Sequence, residues 1–319
     1  EMRGVRVRGS ATPTRIDDPG PLLHEMRLRR APEELARQRR ACEISRDAHI
    51  EAMRFARPGQ HEYEVQAAIE FGFRKGGSPR NAYPSIVASG PNACILHYNE
   101  NRRRMEDGDL LLIHAGCEWG YHASDITRTF PVSGRFSAPQ RKIYQIVLDA
   151  QLAAIAAARP GARYEAMHEA ARRVLTEGLV ALGLLPRGVE DSLAMHHYRE
   201  FYMHGTGHWL GMDVHDVGDY RIQRQSRVLG PGMVLTVGPG LYFDPDRETV
   251  TLYLREYSEV EMWERRDRLG TTAAKALEDE EKARAETIEW GVPREFRGIG
   301  VRIEDDGLIT ADGHEILTA

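Results

Sequence analysis

Three histidines in the stretch FYMHGTGHWLGMDVHD, His204, His208 and His215, sit four and seven residues apart among glycines and large apolar residues. Imidazole is the commonest metal ligand and the side chain most easily protonated near neutral pH. Glycine lets the backbone turn tightly and come close to a ligand. The pattern suggests a hydrolytic metal site. Such a site also needs negative charge, and two other stretches supply it. LLLIHAGCEWGYHASDITRTFPV and GIGVRIEDDGLIT read as apolar strands, each carrying a carboxylate, Asp125 and Glu304, that is costly to bury without a partner. Alternation along a strand sends Glu304 and Asp306 to one face and places His114 on the face of Leu110 and Leu112. His114 is either a ligand or a neutral space-filler. Asp305 and Asp306 read as structural or surface residues.

Helices and strands must bring these side chains together. Pro32-Glu33-Glu34 opens a helix to about Arg57, with acidic residues in the first turn as the helix dipole favours. A second helix covers roughly 62–75 and stops at Gly76-Gly77, and further helices fall at 138–157 and 164–183. Strands are expected near 84–89, 94–98, 109–116, 121–131, 200–204, 212–217, 233–237, 251–255 and 299–310. Ala56-Arg57-Pro58-Gly59 recurs as Ala158-Arg159-Pro160-Gly161, each copy between two helices, which implies two related halves. Residues 1–20 read as a flexible arm, and 21–319 as one domain. Within it, 246–296 forms a charged helical insertion, either solvated or acting as a lid or dimer contact through Trp263, Leu269, Leu277 and Trp290.

A net charge of −5 argues against nucleic-acid binding. The basic run at 27–30, with Arg37, Arg39 and Arg40, reads as the solvated face of a helix. Cys42, Cys94 and Cys117 are odd in number and widely spaced, which opposes a disulfide framework and fits a reducing cytoplasm. No apolar run reaches the roughly 18 residues of a membrane span. There is no GxSxG elbow for a serine hydrolase and no strand followed by GxGxxG for a dinucleotide.

The segments LLHEMRLRRAPEELARQRRACEIS, SIVASGPNACILHYNEN, DGDLLLIHAGCEWGYHASDITRTFPVSGRF, FYMHGTGHWLGMDVHDVGDY, LGPGMVLTVGPGLY and FRGIGVRIEDDGLIT run in order over most of residues 21–318. Together they resemble the catalytic domain of aminopeptidase P, a member of the pita-bread metallopeptidases. The resemblance implies an α+β pita-bread fold, with helices packed on curved antiparallel sheets in two pseudo-symmetric halves. It also implies metal-assisted hydrolysis of the amide before proline in a peptide or small amide substrate. The family holds two divalent metals with two Asp, one His and two Glu. Asp125, His208 and Glu304 match three of these positions. His97, His204 and His215 match histidines that shuttle protons and hold the scissile amide and product, and Arg302 matches an arginine that orients the acidic groups. Tyr220 matches a donor behind the site. His122, His168, His196 and His197 have no counterpart and read as structural or surface residues.

Two ligand positions depart from the family. His114 stands where the family has its first Asp, and Gly238 where it has its first Glu. Four carboxylates are thereby reduced to two, a formal −2 against +4 for two dications. The expectation is one divalent metal per chain, or none, held by Asp125, His208, Glu304 and His114. The added nitrogen shifts preference from Mn²⁺ towards Zn²⁺, Fe²⁺ or Co²⁺. The alternative is a non-hydrolytic homologue that binds a peptide or small molecule, or a repurposed single-metal or metal-free enzyme. A homo-oligomer is compatible with either.

Overall fold

The computed structural model describes residues 17–186, 188–255, 265–266 and 268–319. The expected arm therefore falls almost wholly outside the described residues, as does Trp263. The first half begins with helices α1 (Gly20–Leu28), α2 (Pro32–Phe55) and α3 (Glu62–Lys75). Six strands follow: β1 (Arg80–Asn81), β2 (Ile86–Ser89), β3 (Leu110–Ala115), β4 (Cys117–Trp119), β5 (His122–Ala123) and β6 (Ile126–Pro131). The second half begins with α4 (Ala138–Ala157), α5 (Glu165–Ala181) and the short α6 (Val189–Ala194). Its strands are β7 (Arg221–Ile222), β8 (Gln225–Ser226), β9 (Val234–Val237), β10 (Gly240–Tyr242), β11 (Thr249–Tyr253), β12 (Thr287–Gly291), β13 (Gly300–Arg302), β14 (Asp305–Ile309) and β15 (His314–Ile316). Helix α7 (Thr271–Arg284) lies between β11 and β12.

Local chemistry explains the helix ends. Pro32 occupies the first turn of α2, and Glu34 reaches back to accept from the Ala31 N–H at 2.8 Å. Ser137 caps α4 reciprocally with Gln140, each backbone N–H donating to the other's side chain. Both copies of the repeated Ala-Arg-Pro-Gly do the same job, joining α2 to α3 and α4 to α5. Gly59 and Gly161 stand at φ +91° and +85°, a left-handed conformation that costs glycine nothing. The helix pairs then bury apolar stripes against the sheets. Ala41, Ile44, Ala48, Ile69 and Phe73 pack on Leu111 and Ile113, while Val147, Ala154, Leu175 and Leu179 lie in a second core with Leu235, Leu241 and Val301. Each large side chain so buried contributes about 1.5–3 kcal/mol.

The central sheets are antiparallel, ordered β2-β3-β6 in the first half and β15-β14-β9 in the second. An isolated bridge between Thr127 and Glu304 ties them together through paired backbone bonds of 3.0 and 3.2 Å. This mixed α+β arrangement, with helix pairs backing antiparallel sheets in two halves, is the one expected.

Several local expectations are corrected. Residues 94–98 follow a 3-10 turn (Gly90–Cys94) rather than forming a strand, because Pro91 and the left-handed Gly90 favour a turn. Residues 200–204 and 212–217 are loops held by side chains and single backbone bonds. The runs 121–131 and 299–310 each break into two strands, and the breaks fall beside Asp125 and at Glu304. Among its described residues the insertion is helical in its middle, and β11 and β12 pair antiparallel to form its base. Leu269 and Leu277 on it are exposed, whereas Trp290 donates to Gly183 O at 3.1 Å and packs on the core. Arg30 departs from the solvated-face reading of the basic run, being 6 % exposed and paired with the buried Asp216, whereas Arg29, Arg37 and Arg40 are exposed as expected.

Candidate metal centre

Strand register builds the centre. His114 on β3 lies directly opposite Thr127 on β6, and Thr127 bridges Glu304 from the other half. Residues opposite one another across antiparallel strands send side chains to the same face. The three therefore converge, with His114 Nδ1 2.9 Å from Thr127 Oγ1, which donates to Glu304 Oε2 at 2.8 Å. Asp125, at the break before β6, completes the group. His114 Nδ1 stands 3.2 Å from Asp125 Oδ1 and 3.5 Å from Glu304 Oε2. Asp306, two residues beyond Glu304 on the same side of the strand, accepts from the Asp125 N–H at 3.0 Å and from Cys42 Sγ at 3.3 Å. It is buried and positions a candidate ligand, so it is structural in a specific sense. Asp305 is likewise tied down, by Arg128, Gln151 and Thr318.

His208 arrives from the second half. Its backbone pairs with Thr236 on β9, accepting from Thr236 N at 2.9 Å. Its Nε2 sits 3.2 Å from Asp125 Oδ2, the oxygen facing away from His114. Among the described residues one group of donor atoms lies close enough to share an ion: His114, Asp125 and Glu304, all within 4.8 Å of one another. His208 joins this group only through Asp125.

Gly238 has a definite structural consequence. A Cβ added there would fall 2.5 Å from both Cδ and Oε1 of Glu304. The Glu304 carboxylate thus occupies the space that a side chain at 238 would take.

The electrostatics divide the two acids. Burial opposes the Asp125 carboxylate, but His114 and His208 beside it outweigh burial and hold its pKa below the usual carboxylate range. Burial and the nearby Asp125 charge push Glu304 up to about 7. Burial, helped by the charge of Arg302, lowers His114 to about 3, so its imidazole is neutral, the form that ligates metals. Burial also acts against protonation of His208, but its hydrogen bond to Asp125 wins and raises it.

The remaining residues surround this group. His204 donates or accepts through Nε2 to Tyr242 Oη at 2.8 Å and is lowered to about 3 by burial and Arg302. Arg302 lies with Nε 4.0 Å from Glu304 Oε2, and that buried nitrogen has no hydrogen-bond partner. His215 is exposed, and its ring meets that of His208 edge-on at 4.4 Å. His97 is also exposed, on the loop after the 3-10 turn, near enough to His204 and His215 for its charge to disfavour theirs. The Tyr220 oxygen accepts from the Trp209 N–H at 3.0 Å while its ring stacks on Trp209, so it braces the residue after His208. His168 contacts Thr206 within the His204–His208 loop, and His197 bonds Tyr253 O.

Sequence reasoning missed Tyr83, Thr127 and Tyr242. Tyr83 stacks on His114 at 4.6 Å and donates to Asp125 Oδ1 at 2.7 Å. Thr127 could have been found, since it lies two residues after Asp125 on a strand-like run. Tyr242 ends the GPGLY run. Tyr83 sits in an irregular segment that gives no such signal.

Metal–ligand bonds to His and carboxylate run about 2.0–2.2 Å. Three donors within 4.8 Å, one of them a neutral imidazole, therefore fit a single divalent cation after small adjustments. Among the described residues no second group of three such donors lies together, and Gly238 offers no ligand side chain.

Comparison with known proteins agrees with this architecture. The model of metallopeptidase family M24 matches residues 36–311. The Xaa-Pro aminopeptidase of Escherichia coli is 44% identical over 317 residues, covering 99% of this chain and 62% of the relative. Human Xaa-Pro dipeptidase is 35% identical, covering 93% and 59%. Among solved structures, Pseudomonas aeruginosa aminopeptidase PepP superposes with a TM-score of 0.82 at 45% identity, covering 98% of this chain and 61% of that one. Zinc-substituted E. coli aminopeptidase P in complex with product gives 0.79 at 44% identity, covering 95% and 59%. The chain spans about 60% of the length of these relatives. No described helix is long and apolar enough to cross a membrane. By the match over most of its length and by its pita-bread fold, the chain belongs to metallopeptidase family M24.

Proposed function

We propose that the chain is an Xaa-Pro aminopeptidase-like hydrolase that cleaves the amide before proline with one divalent cation per chain. The observation that carries this reading is the convergence of His114, Asp125 and Glu304 donors within 4.8 Å, beside His204 and the unpartnered Arg302 Nε. His114, Asp125 and Glu304 would hold the cation, with His208 taking Asp125's other oxygen. When bound, the cation supplies Lewis acidity at the scissile amide. The share of nitrogen favours Zn²⁺, Fe²⁺ or Co²⁺ over Mn²⁺.

The chain's own residues do the rest. Tyr83 and Asp306 fix Asp125 from opposite sides. Neutral His204 is held through Nδ1 by Gly205 O and through Nε2 by Tyr242 Oη, and its Nε2 would meet the scissile amide by exchanging Tyr242 for substrate. The Arg302 guanidinium, whose fork suits carboxylates, takes an acidic group of the peptide or product. His97 and His215, both exposed, line the entrance, where imidazoles can pass protons to solvent. Residues 21–319 act as one catalytic-type domain bearing the insertion at 246–296. Free Cys42, Cys94 and Cys117 suit a cytoplasmic setting, and a homo-oligomer is compatible with this reading.

The absent side chain at 238 favours a second reading, a homologue that binds peptides without cleaving them. Hydrolysis of Xaa-Pro peptides by the parent chain and by the double variant His114→Asp, Gly238→Glu separates the two. Slow, metal-dependent cleavage by the parent that rises in the variant supports the enzyme. Peptide binding without cleavage in the parent supports the second reading.

A further inference from the structure

Between Phe201 and Tyr220 the chain forms no helix or strand, yet this segment carries both His208 and His215. Something other than regular secondary structure must set their rings 4.4 Å apart at 78°. Backbone bonds close the turn at its mouth, where the Asp216 N–H donates to Trp209 O at 2.9 Å and Ala123 N donates to Gly211 O at 2.7 Å. The body of the turn is gripped by α1 and the residues after it. Arg30 Nη2 donates to Leu210 O at 3.0 Å at one end and pairs with Asp216 Oδ2 at the other. Arg27 pairs with Asp216 Oδ1 and donates to Asp213 Oδ2 at 2.8 Å. Asp216 Oδ1 also accepts from the Val217 N–H at 2.9 Å. Arg30 and Asp216 are 6 % and 5 % exposed, so this is a buried pair, expensive to assemble and more so to break on one side.

A second observation shows the grip to be built into the sequence. A Cβ on Gly211 would fall 1.6 Å from Arg30 Nη2 and 2.2 Å from Asp216 Oδ2. The guanidinium passes where any other residue at 211 would place its side chain.

We propose that Arg30 is a positioning residue for the His208–His215 pair, its guanidinium fixing the turn so that the two rings face one another beside Asp125. Arg27 supports it from the open side. This rests on the reading that both histidines work in the site. A lysine would not substitute, since Arg30 Nη1 donates to Arg27 O while Nη2 reaches both Leu210 O and Asp216, and a single ammonium lacks the second arm of that planar fork.

The test uses the nuclear Overhauser effect between the His208 and His215 ring protons in the labelled, metal-free chain, which needs no activity. The contact should be present in the parent and absent from Arg30→Ala, Arg30→Lys and Gly211→Ala. Gly211→Ala and Arg30→Ala should also be non-additive in melting temperature, because each removes the same grip. Where the parent cleaves Xaa-Pro peptides, kcat should fall by roughly 10–100-fold in Arg30→Lys while KM changes little, as expected for misplacement by about 1 Å. If Arg30→Ala fails to fold, Arg30→Lys decides the matter. An intact ring contact in a folded Arg30→Lys or Gly211→Ala chain would overturn the proposal, whether or not the parent is an enzyme.

Discussion

Replacing Gly238 with alanine should weaken metal binding without unfolding the protein. The added Cβ would stand 2.5 Å from Cδ and Oε1 of Glu304 and 2.8 Å from its Cγ. Carbon atoms in ordinary contact lie about 3.5–4.0 Å apart, so the carboxylate must retreat by roughly 1 Å. Gly238 does not have the left-handed φ that would itself exclude a side chain, and the three atoms nearest the added Cβ all belong to Glu304. That retreat breaks the 2.8 Å bond from Thr127 Oγ1, a loss of about 1–3 kcal/mol. Relief of glycine's freedom in the unfolded chain returns about 0.4–1 kcal/mol, so the change in overall stability stays small. Metal affinity suffers more, because ligand distances tolerate only about ±0.2 Å. Disturbing even an outer partner of a ligand costs about 10–100-fold in affinity, so Kd for Zn²⁺ should rise by at least roughly tenfold. Competition titration against a chelating indicator, with melting curves in parallel, measures both quantities. An unchanged Kd in a folded Gly238→Ala chain would refute the claim that Glu304 ligates from the space opened at 238.

Three further outcomes follow from the same geometry. His114→Ala should lower bound metal, and unchanged metal content would assign His114 to packing between Tyr83 and Thr127. In the double variant His114→Asp, Gly238→Glu the new side chain at 238 also displaces Glu304, but unlike alanine it brings a carboxylate of its own, so Xaa-Pro peptides should be cleaved faster than by the parent; equal rates would remove the importance given to these two positions. Stability should fall in acid through His49, which burial lowers from 6.5 to about 4. The unfolded chain takes up this proton first. The stabilisation is therefore complete above pH 6.5 and is lost as pH falls towards 4, amounting to roughly 3 kcal/mol at 1.36 kcal/mol per unit. Denaturant midpoints across this range in the parent and in His49→Gln measure it, and parallel curves would contradict the assignment.

Much of the fold was legible because helix signals here are local. Pro32 with Glu33 and Glu34, Ser137 with Gln140, and the two Arg-Pro-Gly stops each act within a single turn, and their helices stand where expected. Strand breaks were less legible. Asp125 and the Glu304 position interrupt apolar runs, because their backbones serve the bridge between halves rather than one continuous ladder. The candidate ligands could be read from motif and strand alternation. Their mutual geometry could not, since it depends on the register that sets His114 opposite Thr127 and Thr127 opposite Glu304. Arg30 was misread for the same reason. Its partner Asp216 is distant in sequence, and nothing near residue 30 reports that a carboxylate waits there. The consequence of Gly238 was half visible. The missing ligand is plain in the sequence, whereas the occupation of its space by Glu304 is a matter of packing alone.

Two carboxylates and a neutral imidazole make a site for one cation. Elemental analysis of the parent chain, loaded with Zn²⁺ and dialysed, should find no more than one equivalent per chain, reduced in His114→Ala. Two tightly held equivalents in the parent would contradict it.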